Sequence, residues 1–391
     1  VINNKLNYGV DKMKYALNEQ ALKFIQDSSK ETLDLLVELA RIPAPSHKEE
    51  KRAEFCKKWL EKNGAKNVLI DEAKNVVYPL NCENAEEITV FMAHLDVVFN
   101  DEEEFDVVIK DGKVYAPGVG DDTANMVNLL MCAKYVTKNN LKPAKGFLFV
   151  LNSCEEGLGN LKGSKKIMET YGSRVTEFVS LDGEIGSCTH KAVGSQRYKV
   201  TVTTEGGHSY SDFGNQNAIY YLSSMIQTLY TVRAPQKEKT TYNVGIISGG
   251  TSVNTIAEEA SMLYEFRSVD KDCLKQMEDF FWAVLDSYRK MNIGVSVEVV
   301  GIRPCGGEMN KEKFEAFTEK NKEIIKYYYD GELDLSAGST DSNIPLSLGI
   351  PANTVGTTKG YGAHTRGEYI EIDGMETGLK IAMTMVLTYF N

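Results

Sequence analysis

Three short apolar runs, each followed by acidic or imidazole side chains, constrain what this chain can fold into more than any other feature. Residues 88–93 lead into His94 and Asp96, residues 147–151 into Glu155 and Glu156, and residues 178–181 into Asp182. Runs of this length without alternation suit strands buried on both faces, as in a parallel sheet covered by helices. In open parallel sheets ligands collect beyond the carboxyl ends of the strands. Side chains far apart in sequence can therefore converge on one crevice, and Asp121 adds a fourth segment to them.

Helical patterns separate these runs. Leu33, Leu36, Val37 and Ala40 keep a stripe that Pro43 ends, and Ser46 is expected to start a second helix that buries Ala53, Cys56, Trp59 and Leu60 and stops at Gly64. Residues 123–136 carry Met126, Val127, Leu130, Ala133 and Val136 at helical spacing. After Gly194 the pattern changes. Residues 197–203 alternate through Tyr198, Val200 and Val202, a helix is expected at 218–232, strands at 242–247 and 262–266, a helix at 273–288 and a last strand at 295–300. That order is the split βαβ sandwich. From about Glu308 helix and strand segments resume, with a run at 350–355. The fold class expected is α/β: a mostly parallel-sheet domain, residues 1–193 and 305–391, interrupted by an inserted α+β, ferredoxin-like domain at 194–304.

Composition excludes some functions. A net charge of -11 argues against nucleic acid as a partner, because a phosphate backbone calls for a basic face. No run approaches the ~20 apolar residues of a membrane span, and the polar stretch 1–27 lacks the apolar centre of a secretory signal. The seven cysteines are odd in number, scattered and never paired as C-x-x-C, which fits reduced thiols in the cytoplasm.

The chemistry lies in five motifs. In His94–Leu95–Asp96 the imidazole can bind a metal while Asp96 holds the other ring nitrogen. Taken alone, a structural histidine is the better reading. In Gly118–Val119–Gly120–Asp121–Asp122, Asp122 or Thr123 can cap the following helix, which leaves Asp121 free to bridge two cations through its two oxygens. Glu155 and Glu156 follow so apolar a strand that a metal site is more attractive than a solvated pair, with Glu156 a ligand and Glu155 a general base. Asp182 directly follows its run and is preferred to Glu184. Finally, Gly362–Ala363–His364–Thr365–Arg366–Gly367–Glu368 supplies a second imidazole in a glycine-rich loop. Two imidazoles with three carboxylates suit a pair of zinc-like ions better than calcium or magnesium.

In this order, H-x-D, G-D-D, E-E-G, D and a late G-x-H, the chain resembles the zinc-dependent exopeptidase superfamily of peptidase T, carnosinase-type dipeptidases, carboxypeptidase G, acetylornithine deacetylase and succinyl-diaminopimelate desuccinylase. The likeness runs from about Lys30 to the end. It implies that Asp121 bridges two zinc ions, with cobalt or manganese as substitutes. Glu156 and His364 would complete one site, His94 and Asp182 the other. Glu155 would be the general base on a water held between the metals, and Asp96 the clamp on His94. In the inserted domain, Glu205–Gly206–Gly207–His208–Ser209 resembles the lid motif whose histidine steadies the oxyanion. Asn254, after Ser248–Gly249–Gly250, and Arg267 resemble the substrate-binding pair, and Gly338–Ser339–Thr340–Asp341 the substrate loop. The chain departs from many members after the lid histidine, where Tyr210–Ser211–Asp212–Phe213–Gly214 replaces a proline.

Asp at 182 is similar to the aminopeptidase and dipeptidase branch, which implies cleavage of di- or tripeptides. The alternatives are an N-acyl amino acid deacylase or desuccinylase and, less favoured, a catalytically silent peptide-binding protein. The resemblance also implies a homodimer through the inserted domain, with the lid histidine entering the neighbour's site.

Overall fold

The seven residues Ile88–His94 and the seven of Gly146–Asn152 are buried from end to end in the computed structural model, which describes residues 14–391. Residues 1–13, the first part of the polar amino-terminal stretch, lie outside the described residues. The two strands run parallel, with His94 opposite Asn152. Val175–Ile185 lies parallel on the other side of Ile88–His94, and Ala352–Gly356 parallel beyond it. These four form the middle of an eight-stranded sheet; Val76–Leu80 and Ser187–Ala192 join its flanks antiparallel. The core holds Phe91, Phe149, Leu181 and Val355 from the sheet against Leu36, Val127 and Met383 from helices. Helix Asn125–Lys138 is buried at every position from 125 to 136, as expected of a helix enclosed on all sides.

A second body has its own core. Gly194–Thr203, Thr240–Gly249, Glu259–Ser268 and Gly294–Arg303 form an antiparallel sheet, with Glu259–Ser268 and Gly194–Thr203 in the middle and Thr240–Gly249 at one edge. Along Glu259–Ser268 every second residue is buried, from Ala260 through Met262, Tyr264 and Phe266 to Ser268. Helices Ala218–Leu229 and Lys271–Lys290 supply Leu222, Met225, Met277 and Phe281 to this core. Asn217 and Asp270 cap them, Asn217 accepting the N–H groups of Ile219 and Tyr220 and Asp270 that of Cys273. The order strand–helix–strand–strand–helix–strand is ferredoxin-like, so the fold class is the one expected. The chain divides into one unit containing residues up to His190 and Gly307–Asn391, and a second formed by Lys191–Gly306.

Two helix starts differ from expectation. The second helix begins at Glu50, with no side-chain cap, because Ser46 is used elsewhere: its hydroxyl donates to Asp96 Oδ2 at 2.7 Å. The helix expected from residue 123 begins at Asn125, after a wide turn at 119–124. Neither Asp122 nor Thr123 caps it. Asp122 accepts the His94 N–H at 2.8 Å, and the Thr123 hydroxyl donates to the Gly118 carbonyl at 2.6 Å. All seven cysteines are buried, and none is in a disulfide. Among the described residues no helix is long and apolar enough to cross a membrane.

Candidate metal centre

Asp121 joins two halves of a cluster at the carboxyl ends of the parallel strands. Its Oδ1 lies 3.1 Å from His94 Nε2, and its Oδ2 lies 3.0 Å from His364 Nε2. Glu156 Oε1 lies 3.2 Å from the same His364 nitrogen without a hydrogen bond. Donor atoms of His94, Asp121 and Glu156 fall within 4.8 Å of one another, as do those of His94, Asp122 and Asp182. The structure thus brings together all five side chains expected as ligands, and adds Asp122 as a sixth donor. Glu184 belongs to neither group.

Charge in this crowd is set by burial first. Burial, then the neighbouring Asp121 and Glu155 charges, pushes the Glu156 carboxyl up to about 7. Burial and Asp121 do the same for Asp182, also to about 7. The carboxylates of Asp121 and then Glu156, both beside the ring, raise His364 to about 10. For His94 burial opposes the charge, but Asp122, Asp121 and Asp96 outweigh it and the ring is held well above its ordinary value. Asp121 moves the other way: burial opposes ionisation, yet its two imidazole partners hold it below the usual carboxylate range. These shifts describe acids short of positive charge, with protonated imidazoles as the nearest supply.

The backbone around the cluster is held by two carboxylates. Asp96 Oδ1 accepts the Glu155 N–H at 2.9 Å, and Oδ2 accepts the Glu156 N–H at 3.0 Å together with the Ser46 hydroxyl. The clamp on His94 differs from the one expected. Nδ1 lies 2.9 Å from the Asp96 main-chain carbonyl, and the carboxylate is farther away at 3.5 Å. Glu368 holds the other loop, accepting N–H groups of Gly118, Gly120 and Asp121 at 2.9, 2.7 and 2.8 Å. Gly118 must be glycine, since φ is 69° and a Cβ would stand 2.2 Å from Val97 Cγ1.

Glu368 had no role in the sequence reading, although it closes the His364 motif; its partners lie about 250 residues upstream. Asp341 was also missed as a buried acid. It receives the Asn152 amide at 2.6 Å, and burial raises its carboxyl well above the usual range. Its neighbour Gly338 ends the strand Asp334–Gly338, where a Cβ would meet Thr189 Cγ2 at 3.0 Å.

In the second unit, Gly207–His208 pairs antiparallel with Thr255–Ile256, and the Ser209 N–H donates to the Asn254 carbonyl at 2.9 Å. His208 and Asn254 are therefore neighbours. The His208 side chain is exposed, its Nδ1 accepting N–H groups of Tyr210 and Ser211, each at 3.3 Å. Arg267 is engaged by both oxygens of Glu265, at 3.0 and 3.1 Å.

The donor set tests well against a divalent-metal site. It combines two imidazoles with buried carboxylates, and Glu156 Oε1 and Asp122 Oδ1 are buried without hydrogen bonds. Such oxygens are costly unless a cation or donor meets them.

Comparison with known proteins agrees with this geometry. Residues 90–388 match the description of peptidase family M20/M25/M40. The uncharacterized protein YqjE of Bacillus subtilis (strain 168) is 23% identical over 382 residues, 92% of this chain and 98% of that protein. A probable succinyl-diaminopimelate desuccinylase of Staphylococcus aureus (strain MSSA476) is 22% identical, covering 88% of this chain and 94% of its own. Among solved structures, a tripeptidase from Staphylococcus aureus subsp. aureus Mu50 superposes with a TM-score of 0.73 at 20% identity. That match covers 92% of this chain and 99% of that one.

Proposed function

This chain belongs to peptidase family M20/M25/M40, and from that premise we propose that it is an exopeptidase cleaving di- or tripeptides at a dinuclear metal centre. The chain is a metal-dependent amide hydrolase by family. The observation that carries it is Asp121, whose two oxygens each face a different imidazole beside the adjacent pair Glu155 and Glu156. Asp121 would bridge two ions, zinc by donor type, with Glu156 and His364 on one and His94 and Asp182 on the other. Bound there, divalent ions would polarise the scissile carbonyl and make a water nucleophilic near neutral pH.

Glu155 takes the proton of the attacking water and returns it to the leaving amine. Asp96 holds the peptide N–H groups of Glu155 and Glu156 on its two oxygens, so base and ligand move as one piece. His208 steadies the developing oxyanion, Asn254 hydrogen-bonds the substrate backbone, and Arg267 grips a substrate carboxylate. That last role requires Arg267 to share its guanidinium with Glu265.

Glu155→Gln should retain its metal and lose about two to four decades of kcat. Near wild-type turnover in that variant would sink the assignment. A second reading, hydrolysis of an N-acyl amino acid, is favoured by the desuccinylase-named relative. Its chemistry is the same and only the pocket differs. Turnover of acylated amino acids alone, in a panel that includes di- and tripeptides, would select it.

A further inference from the structure

A cavity of about 180 Å³ opens beside Asp121 and Asp182, with Glu184, Thr358, Tyr361 and Tyr369 among its other walls. At ~30 Å³ per water it holds about six waters, room for one small residue. Two of its polar groups are uncommitted. Thr358 is only 6% exposed, yet its Oγ1 has no hydrogen-bond partner. Such an unmet bond in a buried wall points to a polar visitor. Glu184 is exposed, and its carboxylate makes no hydrogen bond or ion pair shown among the described residues.

The other acids of the cavity are spoken for. Asp121 and Asp182 face the metal centre, and Glu368 is occupied by three peptide N–H groups. Glu184 is thus the carboxylate left to meet a ligand. The ring of Tyr361, 6.4 Å from that of Tyr369 between centroids, adds a π face that attracts a cation, whereas the Tyr369 ring is already met by Lys113 Nζ at 3.9 Å.

We infer that this cavity receives the free α-ammonium end of the substrate, the amino-terminal residue of a short peptide. Glu184 is its charge partner and Thr358 Oγ1 accepts one of its hydrogen bonds. The inference rests on the exopeptidase reading and decides within it. An N-acetyl group offers no charge to Glu184, and a succinyl group brings a second carboxylate against it.

Binding separates this inference from catalysis. In metal-loaded Glu155→Gln protein, calorimetry should find Ala-Ala-Ala bound about 10- to 100-fold more tightly than N-acetyl-Ala-Ala-Ala, the range of one charge-assisted hydrogen bond. Adding Glu184→Gln should erase that preference with metal content unchanged, and adding Thr358→Val should reduce it. In active enzyme, Glu184→Gln should raise KM for the free tripeptide more than it lowers kcat. Equal affinity for the two peptides, or a preference that survives Glu184→Gln, overturns the inference. A preference intact in a wild-type protein that hydrolyses neither peptide upholds the inference and overturns the exopeptidase reading instead.

Discussion

Protons and metal ions compete for the same side chains at the candidate centre. Glu156 and Asp182 sit at about 7 when folded, above their ordinary 4.5 and 3.8. The folded chain therefore holds protons that the unfolded chain releases, so metal-free protein loses stability as pH rises from about 4 to about 7. His364, raised to about 10, contributes stability that is complete below its ordinary 6.5 and fades as pH rises towards 10. Asp121 is depressed, and its contribution is already present above 3.8. Chelator-stripped protein should accordingly melt lower at pH 8 than at pH 6. Zinc replaces the missing protons, so its addition should raise Tm more at pH 8. A gain that is equal or smaller there would contradict the proposed donors. Asp96→Asn tests the clamp at the same scale: it sets an amide donor against the N–H of Glu155 or Glu156. We expect a 10- to 100-fold loss of metal affinity by chelator competition, as for other groups that support metal ligands. Unchanged affinity would leave Asp96 a bystander.

Between elements, close packing around Thr357 ties two helices to the loop that carries the cavity wall. The Asn125 side chain accepts the Thr357 N–H at 2.8 Å and its hydroxyl at 2.5 Å, while Asn128 Nδ2 donates to the Thr357 carbonyl at 3.2 Å. Helix Met375–Leu387 approaches the same carbonyl through Gly378, where a Cβ would stand 1.8 Å from the oxygen. Gly378→Ala should therefore cost about 1–3 kcal/mol in urea unfolding by overpacking. Gly306→Ala, whose Cβ would meet nothing within 4 Å, serves as the control. A Gly378→Ala protein as stable as that control would show that the contact yields easily. The elements themselves were mostly legible in the sequence, for physical reasons. Strands buried on both faces must be unbroken apolar runs, as at 88–94 and 146–152, and a strand with one buried face must alternate, as at 259–268. Of the candidate donors, His94, Glu156 and Asp182 were legible because they follow such runs, and Asp121 and His364 because they stand in glycine-rich segments. The turn at 119–124 was not, because its backbone is dictated by Glu368, some 250 residues later, rather than by its own residues. Ser46 was misread for a similar reason: a serine before a helix looks like a cap until Asp96 is brought to it.

At the scale of the whole molecule, the second unit presents a surface that a lone chain would leave unprotected. Its edge strand Thr240–Gly249 contains no charged residue and exposes Ile246 and Ile247, at 58% and 56%. Long uncharged edges without lysine, proline or another guard invite pairing with a further strand. On the neighbouring helix Ala218–Leu229, Ile219 and Tyr220 are also exposed, and Ile219 Cδ1 lies 3.0 Å from where a Cβ on Gly250 would stand. Exposed apolar side chains thus stand on both the strand and the start of the helix beside it. A second copy of this chain, the homodimer expected from the family resemblance, would cover them edge strand against edge strand, continuing the sheet and burying the isoleucines of both copies. Light scattering on the full chain should then give twice the 43.5 kDa of one chain at micromolar concentration. Ile247→Lys should shift it to single chains, because a buried lysine pair at a two-fold axis repels itself, while thermal stability of the monomer stays close to wild type for so exposed a position. Wild-type protein that scatters as a monomer across that range would remove the second copy from the account and leave that edge to another partner.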